Sequence, residues 1–124
     1  MRLKKVEGTY AVSQLSAEDT LPDWLNGPGL TAMVRTEDEL TIICDEHRVP
    51  EGTNTERGWA CFRSIGPFSF DEAGIVASLV TPVSARNIGV FVLCTFDGEH
   101  ILCPEKDFEK VRDVLLSEGH VFVE

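Results

Sequence analysis

A chain of 124 residues, 43% hydrophobic and 26% charged, has the size and composition of one ordinary globular domain or of two half-size modules sharing a core. Its net charge of −10, from 21 acidic and 11 basic residues, repels phosphate backbones and anionic lipid, so neither nucleic acid nor a membrane is expected as a partner. No apolar run approaches the roughly 20 residues of a bilayer span, and no apolar stretch follows the basic residues of MRLKKVEGTY, so a cytoplasmic protein is expected.

Alternation over Thr9 to Leu15, with Tyr10 and Val12 on one face, predicts a strand. Pro22 suits the start of a short helix through Trp24 and Leu25, which Asn26-Gly27-Pro28-Gly29 ends. Leu30 to Arg35 and Leu40 to Cys44 read as two strands of a hairpin joined by a polar turn. From Asp45 to Gly58 no apolar position recurs, and the stretch is expected to be a linker or surface loop between two halves.

Trp59 to Ile65 reads as the next strand, closed by Gly66-Pro67. Ser69 or Asp71 is positioned to cap a helix whose apolar face holds Ile75, Val76, Leu79, Val80 and Val83. Pro82 is expected to kink that helix late, and Asn87 to close it in a left-handed conformation. Ile88 to Thr95 is almost wholly apolar and predicts a strand covered on both faces. A turn over Phe96 to Glu99 leads to a returning strand, His100 to Cys103. Pro104 opens a last helix with Phe108, Val111 and Leu115 inward; Gly119 stops it, and HVFV is a final strand.

The later elements thus run strand, helix, strand, strand, helix, strand. This is the α+β, ferredoxin-like βαββαβ order, in which two helices cover a four-stranded antiparallel sheet. A shift of 59 positions also sets Thr36 on Thr95, Asp38 on Asp97, Ile42-Ile43-Cys44 on Ile101-Leu102-Cys103 and Glu46 on Glu105. One hairpin design is expected to occur twice.

Cys44, Cys61, Cys94 and Cys103 form no C-x-x-C pair and stand at no metal-ligand spacing with histidine. All four are expected as small buried thiols, with no metal and no cofactor. No G-x-S-x-G elbow, P-loop, H-E-x-x-H or G-x-G-x-x-G is present. No catalytic residue is assigned, and the chain is not expected to be an enzyme.

Over Phe70-Asp71-Glu72-Ala73-Gly74-Ile75, Asn87-Ile88-Gly89-Val90 and the hairpin Cys94 to Leu102, the sequence resembles the ACT family of small-molecule-sensing domains. It is most similar to the paired ACT-like domains of short bacterial proteins and of CASTOR-type arginine sensors. Leu21 to Leu25 and Arg35 to Leu40 share the likeness. The resemblance implies two ACT-like halves with antiparallel sheets: residues 1–58, abbreviated and poor in helix, and residues 59–124, a full ACT domain. It also implies an amino acid or similar small molecule bound where two ACT units meet. The implied ligand-binding residues are Phe70, Asp71, Gly74 and Ile75, with Ile88, Gly89 and Val90 opposite, and Thr95 and Asp97 in the hairpin.

Elementary chemistry agrees with that set. Amides at a helix start suit a carboxylate, a glycine lets a ligand approach the main chain, and Asp71 suits an ammonium group. Each residue also has a plain structural role: Asp71 as a cap, Gly74 for close helix–strand packing, Gly89 to relieve crowding, Asp97 as a turn former. His47 and His120 read as surface or strand-end residues, and His100 as a group titrating near neutrality if half exposed. The hairpin departs from the relatives' usual Ser-Thr-Tyr-x-Thr-Asp-Tyr, reading Cys94-Thr95-Phe96-Asp97-Gly98-Glu99-His100. The expected function is an amino-acid-binding regulatory sensor, homodimeric and allosteric, acting on a protein partner the sequence does not name. The alternative is a protein–protein interaction or dimerisation module with no small ligand.

Overall fold

The computed structural model describes residues 1–66, 68–69 and 72–123. Residues 7–59 form one compact unit, the amino-terminal unit, and residues 1–6 with 60–124 form the carboxy-terminal unit. Strands β1 (Arg2–Leu15) and β4 (Asn54–Ser64) each give residues to both.

In the amino-terminal unit, β2 (Ala32–Arg35) and β3 (Leu40–Asp45) form the expected hairpin, and the strand order is β2-β3-β1-β4. The antiparallel register of β1 on β3 sets Ala11 on Cys44, Ser13 on Ile42 and Leu15 on Leu40. Because side chains alternate across a strand, this register brings Ala11, Leu40, Ile42 and Cys44 to one face. There they form a core with Leu25 and Val49. Leu25 and Trp24 come from a single 3₁₀ turn, Asp23–Leu25, as the short Pro22-led segment predicts.

The stretch from Asp45 to Gly58 is more ordered than its composition implies. Asp45 caps a 3₁₀ turn, Glu46–Arg48, by accepting from the His47 amide, and β4 begins at Asn54, five residues before the expected strand. Polar partners explain why no apolar period marks this start. Thr55 Oγ1 meets Ser13 Oγ at 2.7 Å, Asn54 Nδ2 donates to Gln14 Oε1 at 3.0 Å, and the Gly58 amide donates to Glu46 Oε1 at 2.9 Å.

In the carboxy-terminal unit, β4 is followed by α1 (Ile75–Ser84), β5 (Phe91–Cys94), β6 (Glu99–Pro104), α2 (Phe108–Ser117) and β7 (Val121–Val123). The fold is α+β and ferredoxin-like. Leu79 and Val83 of α1 and Phe108, Val111 and Leu115 of α2 close over Leu3, Ala60, Phe62, Ile101 and Cys103. One pairing differs from the expected antiparallel set of four strands. Residues 2–6 of β1 lie between β4 and β7, giving the order β5-β6-β4-β1-β7, and β7 runs parallel to β1. The basic start hides this strand. Leu3 is fully buried, while Lys5 lies on the same face with its ammonium 5.0 Å from the Phe108 ring centroid, a cation–π contact.

Two further expectations are corrected. The apolar run from Ile88 is not a strand covered on both faces: only Phe91–Cys94 is strand, it stands last in the order, and Phe91 is 40% exposed. Ile88 and Val90 pack on the core from the loop that precedes it, which accounts for the run. Cys94 is accordingly exposed, whereas Cys44, Cys61 and Cys103 are buried free thiols.

The hairpin repeat is present in the structure. Adding 59 to the bounds of β2 and β3 gives β5 and β6, and adding 59 to the 3₁₀ turn Glu46–Arg48 gives a second one, Glu105–Asp107. The registers also correspond, Ala32 on Ile43 becoming Phe91 on Leu102, and β3 and β6 alternate between buried and half-buried residues in the same order.

The N-cap of α1 is Gly74, at φ 85°, and the Ser69 carbonyl accepts from the Glu72 amide in the turn before it; Asp71, the other expected cap, lies outside the described residues. At the other end Asn87 is left-handed as expected, with φ 59°. Pro82 has no N–H for the carbonyl of Ser78, and the helix continues through it to Ser84. His120, expected on the surface or at a strand end, immediately precedes β7 and is 7% exposed. Its Nε2 lies 3.2 Å from Ser78 O, and its Nδ1 3.0 Å from the Met1 α-amino group. The histidine thus takes the place of the hydrogen bond that proline removes. His120→Ala is expected to cost about 1–3 kcal/mol by urea unfolding, the cost of orphaning a buried carbonyl. Pro82→Ala, which restores the amide, should shrink that cost in a double-mutant cycle; an unchanged cost would assign His120 no role at Ser78.

Candidate functional site

A cleft of about 260 Å³ lies between the start of α1 and the β5–β6 turn, within the carboxy-terminal unit. Gly74, Ile75, Val76 and Ala77 form one wall, with Phe68, Ser69 and Glu72 before them; Cys94, Thr95, Phe96, Gly98 and Glu99 form the other. The first helical hydrogen bond of α1 runs from the Ser78 amide to Gly74 O at 2.9 Å. The amides of Ile75, Val76 and Ala77 precede it and stand at the positive end of the helix dipole.

The opposite wall carries an acidic group in an unusual position. Glu99 is 8% exposed. Ser64 Oγ donates to its Oε2 at 2.6 Å and accepts from its amide at 3.1 Å. No donor among the described residues reaches Oε1. Burial of a carboxyl is costly without partners, and among the described residues Ser64 is the partner this one has.

Two glycines make the arrangement possible. A Cβ on Gly98 would stand 2.7 Å from Ser64 Oγ, and one on Gly66 would stand 2.6 Å from Asp97 O. The glycine at 98 therefore belongs with the Ser64–Glu99 pair: a side chain there would push the Ser64 hydroxyl away. The hairpin repeat sharpens the contrast. In the amino-terminal unit the last residue of β1, Leu15, pairs with the first of β3, Leu40, which is fully buried. In the carboxy-terminal unit the last residue of β4 is Ser64 and the first of β6 is Glu99, so an apolar pair in one unit is a hydrogen-bonded polar pair in the other.

Of the residues singled out in the sequence, Gly74, Ile75 and Thr95 meet at this cleft. Phe70 and Asp71 lie outside the described residues. Ile88 and Val90 pack against the core, and Ile88 also lines a separate groove between the helices. Gly89 is exposed, and a Cβ at this position would meet nothing within 4 Å, so it relieves no crowding. Gly74 has the same open surroundings, and its φ of 85° rather than close packing accounts for the glycine. Asp97 is exposed at the tip of the turn, where Thr95 N–H bonds Gly98 O at 2.7 Å. Sequence reasoning misses Ser64 and Glu99. The signal for Glu99 is the 59-residue shift, which sets it against a leucine.

Neighbouring groups limit other chemistry. Burial pushes the Cys61 and Cys103 thiols up to about 12 and raises that of Cys44, so none of these is a ready nucleophile. Among the described residues no three His, Cys, Asp or Glu side chains group to hold a metal ion. His100, which follows Glu99 and points to the other face of β6, is half-buried, and its Nδ1 has no partner among the described residues. Burial lowers its pKa below 6.5, with Arg63 adding to the shift and Glu99 opposing it. The unfolded chain therefore binds the proton first as pH falls. Stability is expected to drop as pH is lowered through 6.5 towards the folded-state value, and His100→Gln should flatten that part of the profile in urea unfolding between pH of about 7.5 and about 5.

The ACT-domain family profile matches residues 54–117, and a profile for the N-terminal domain of a related group matches residues 8–52. The human cytosolic arginine sensor for mTORC1, subunit 1, is 40% identical over 58 residues, which is 46% of this chain and 18% of that protein. The chain thus spans under a fifth of the length of the curated relatives it matches. A crystal structure of an Agrobacterium tumefaciens protein is 43% identical and superposes with a TM-score of 0.94 over 98% of this chain and 91% of its own. The aspartate kinase of Clostridium acetobutylicum shares the fold alone, at 10% identity and a TM-score of 0.67, over 94% of this chain and 34% of that one. The profile match covers half of the sequence, and the chain belongs to the ACT-domain family.

Proposed function

We propose that this protein is an amino-acid sensor whose ligand sits in the cleft between the start of α1 and the β5–β6 turn. The observation that carries the reading is Glu99: an acidic side chain 8% exposed that lines the cleft, held by Ser64 on one oxygen and with no donor to the other among the described residues. A group with that chemistry calls for a cationic partner. The α-ammonium of an amino acid, or a guanidinium, supplies one, and the amides at the start of α1 suit the carboxylate of the same molecule. At about 260 Å³ the cleft is smaller than the roughly 300–1,000 Å³ of enclosed ligand sites. A further ACT-type unit is expected to complete it, residues 1–58 and 59–124 being read as an abbreviated and a full ACT-like half. A homodimer acting on a protein partner is the working assembly.

A second reading rests on the strand edges. Met33 and Val34 of β2 are 39% and 49% exposed, and Phe91 of β5 is 40% exposed, which favours a protein contact there. Self-association indifferent to amino acids would support it.

The two separate by thermal shift and calorimetry on the whole chain against the twenty amino acids, arginine first. A ligand held at Glu99 should raise the melting temperature, by the equivalent of about 2.7 kcal/mol at a hundredfold excess over Kd. Glu99→Gln, which keeps the shape and removes the acid, should weaken it about tenfold or more. A flat screen, or full affinity in Glu99→Gln, overturns the cleft assignment.

A further inference from the structure

A second cavity lies on the helical side of the carboxy-terminal unit. It is a groove of about 500 Å³ between the end of α1 and the outer face of α2, lined by Arg86, Ile88, Lys110, Asp113, Val114 and Ser117. Its volume is within the roughly 300–1,000 Å³ range of small-molecule sites. Lys110, Asp113, Val114 and Ser117 stand at i, i+3, i+4 and i+7, so one face of α2 presents all four. Arg86 comes from the turn that ends α1, where its amide bonds Val83 O at 3.0 Å.

Three charges surround an aliphatic floor here, and none is used. Arg86, Lys110 and Asp113 are exposed and take part in no ion pair among the described residues. Lys110 and Asp113 are at the spacing where such pairs normally form on a helix. Ile88 and the buried Val114 form the floor, while the Ser117 hydroxyl is already committed to Val114 O at 2.6 Å. In a chain of net charge −10, a groove lined by two cations and one anion is a local reversal of sign.

We propose that this groove is a binding site for an acidic α-amino acid. The lining carries a net charge of +1 (Arg86 and Lys110 against Asp113), and such a ligand carries −1 as two carboxylates and one ammonium. One carboxylate meets the guanidinium of Arg86, the second meets Lys110, and the ammonium meets Asp113. The methylenes between them cover Ile88 and Val114. An acidic peptide side chain satisfies the two cations but leaves Asp113 facing a carboxylate, so the zwitterion is the better match. The site stands apart from the cleft at Glu99 and shares no residue with it.

Calorimetry with L-glutamate and with glutarate, which lacks the ammonium, tests the assignment on the whole chain. Saturable glutamate binding is expected. It should persist in Glu99→Gln, fall about tenfold or more in Arg86→Ser, and fall in Asp113→Asn while glutarate binding holds or strengthens. These side chains are exposed, so unchanged circular dichroism and melting temperature should accompany each variant. No glutamate binding to the unaltered protein, or binding undiminished in an Arg86→Ser/Lys110→Ser double variant, overturns the proposal. Loss of glutamate binding in Glu99→Gln alone also overturns it and returns the ligand to the cleft.

Discussion

A buried acidic side chain must be satisfied or excluded, and Glu99 organises its surroundings around that requirement. Ser64 gives one hydroxyl to both its carboxyl and its amide. The contact holds only because residue 98 has no side chain, and the turn reaches the end of β4 only because residue 66 has none. The β4 terminus, the β5–β6 turn and the start of α1 then converge with one acidic oxygen unclaimed among the described residues. A leucine at 99 would remove the need for serine at 64 and for glycine at 98 alike, and it would leave a hydrophobic wall.

That alternative exists in the same chain. The two hairpins share their bounds, register and burial sequence at a spacing of 59 residues. What the hairpin needs is therefore what both copies keep: alternating apolar residues at 42 and 44, or 101 and 103, and a threonine at 36 or 95 that bonds back to the turn. Residues that differ between the copies are not needed for folding the hairpin. Glu99 against Leu40 is such a difference, and it lies where the cleft is.

Much of the architecture is legible because it rests on periodicity. Leu79, Val83, Phe108, Val111 and Leu115 are buried as their spacing requires, and Asn87 and Gly119 end the two helices with positive φ. Several misses share one cause, a polar or charged residue serving a structural partner. Residues 2–6 are not read as strand because a strand with Leu3 inward and Lys5 over an aromatic ring has almost no apolar alternation. The start of β4 reads as linker because its side chains pair with Ser13 and Gln14 rather than with a core. His120 reads as a surface or strand-end residue, and its burial is not foreseen because its partner, a carbonyl orphaned by Pro82, is 42 residues away. Of the cleft, the helix start and Thr95 are legible from the family resemblance; Ser64 and Glu99 are not, since a strand-end serine and a turn glutamate are unremarkable until paired.

The amino-terminal unit indicates what the difference is for. Between its first strand and its hairpin the chain has a 3₁₀ turn in place of a ten-residue helix. Trp24 and Leu25 from that turn join Leu15 and Leu40 in the core. The position matching Glu99, Leu40, is thus part of a packed apolar cluster. The chain holds two copies of one hairpin, and the residues at 15 and 40 or at 64 and 99, with the segment that follows the first strand, decide whether the end of the hairpin is core or cavity. Restoring leucine at 99 in the carboxy-terminal unit would not by itself rebuild a core, because no tryptophan follows β4 to fill the space. The cleft is therefore set by the length and composition of the segment between β4 and β5 as much as by Glu99.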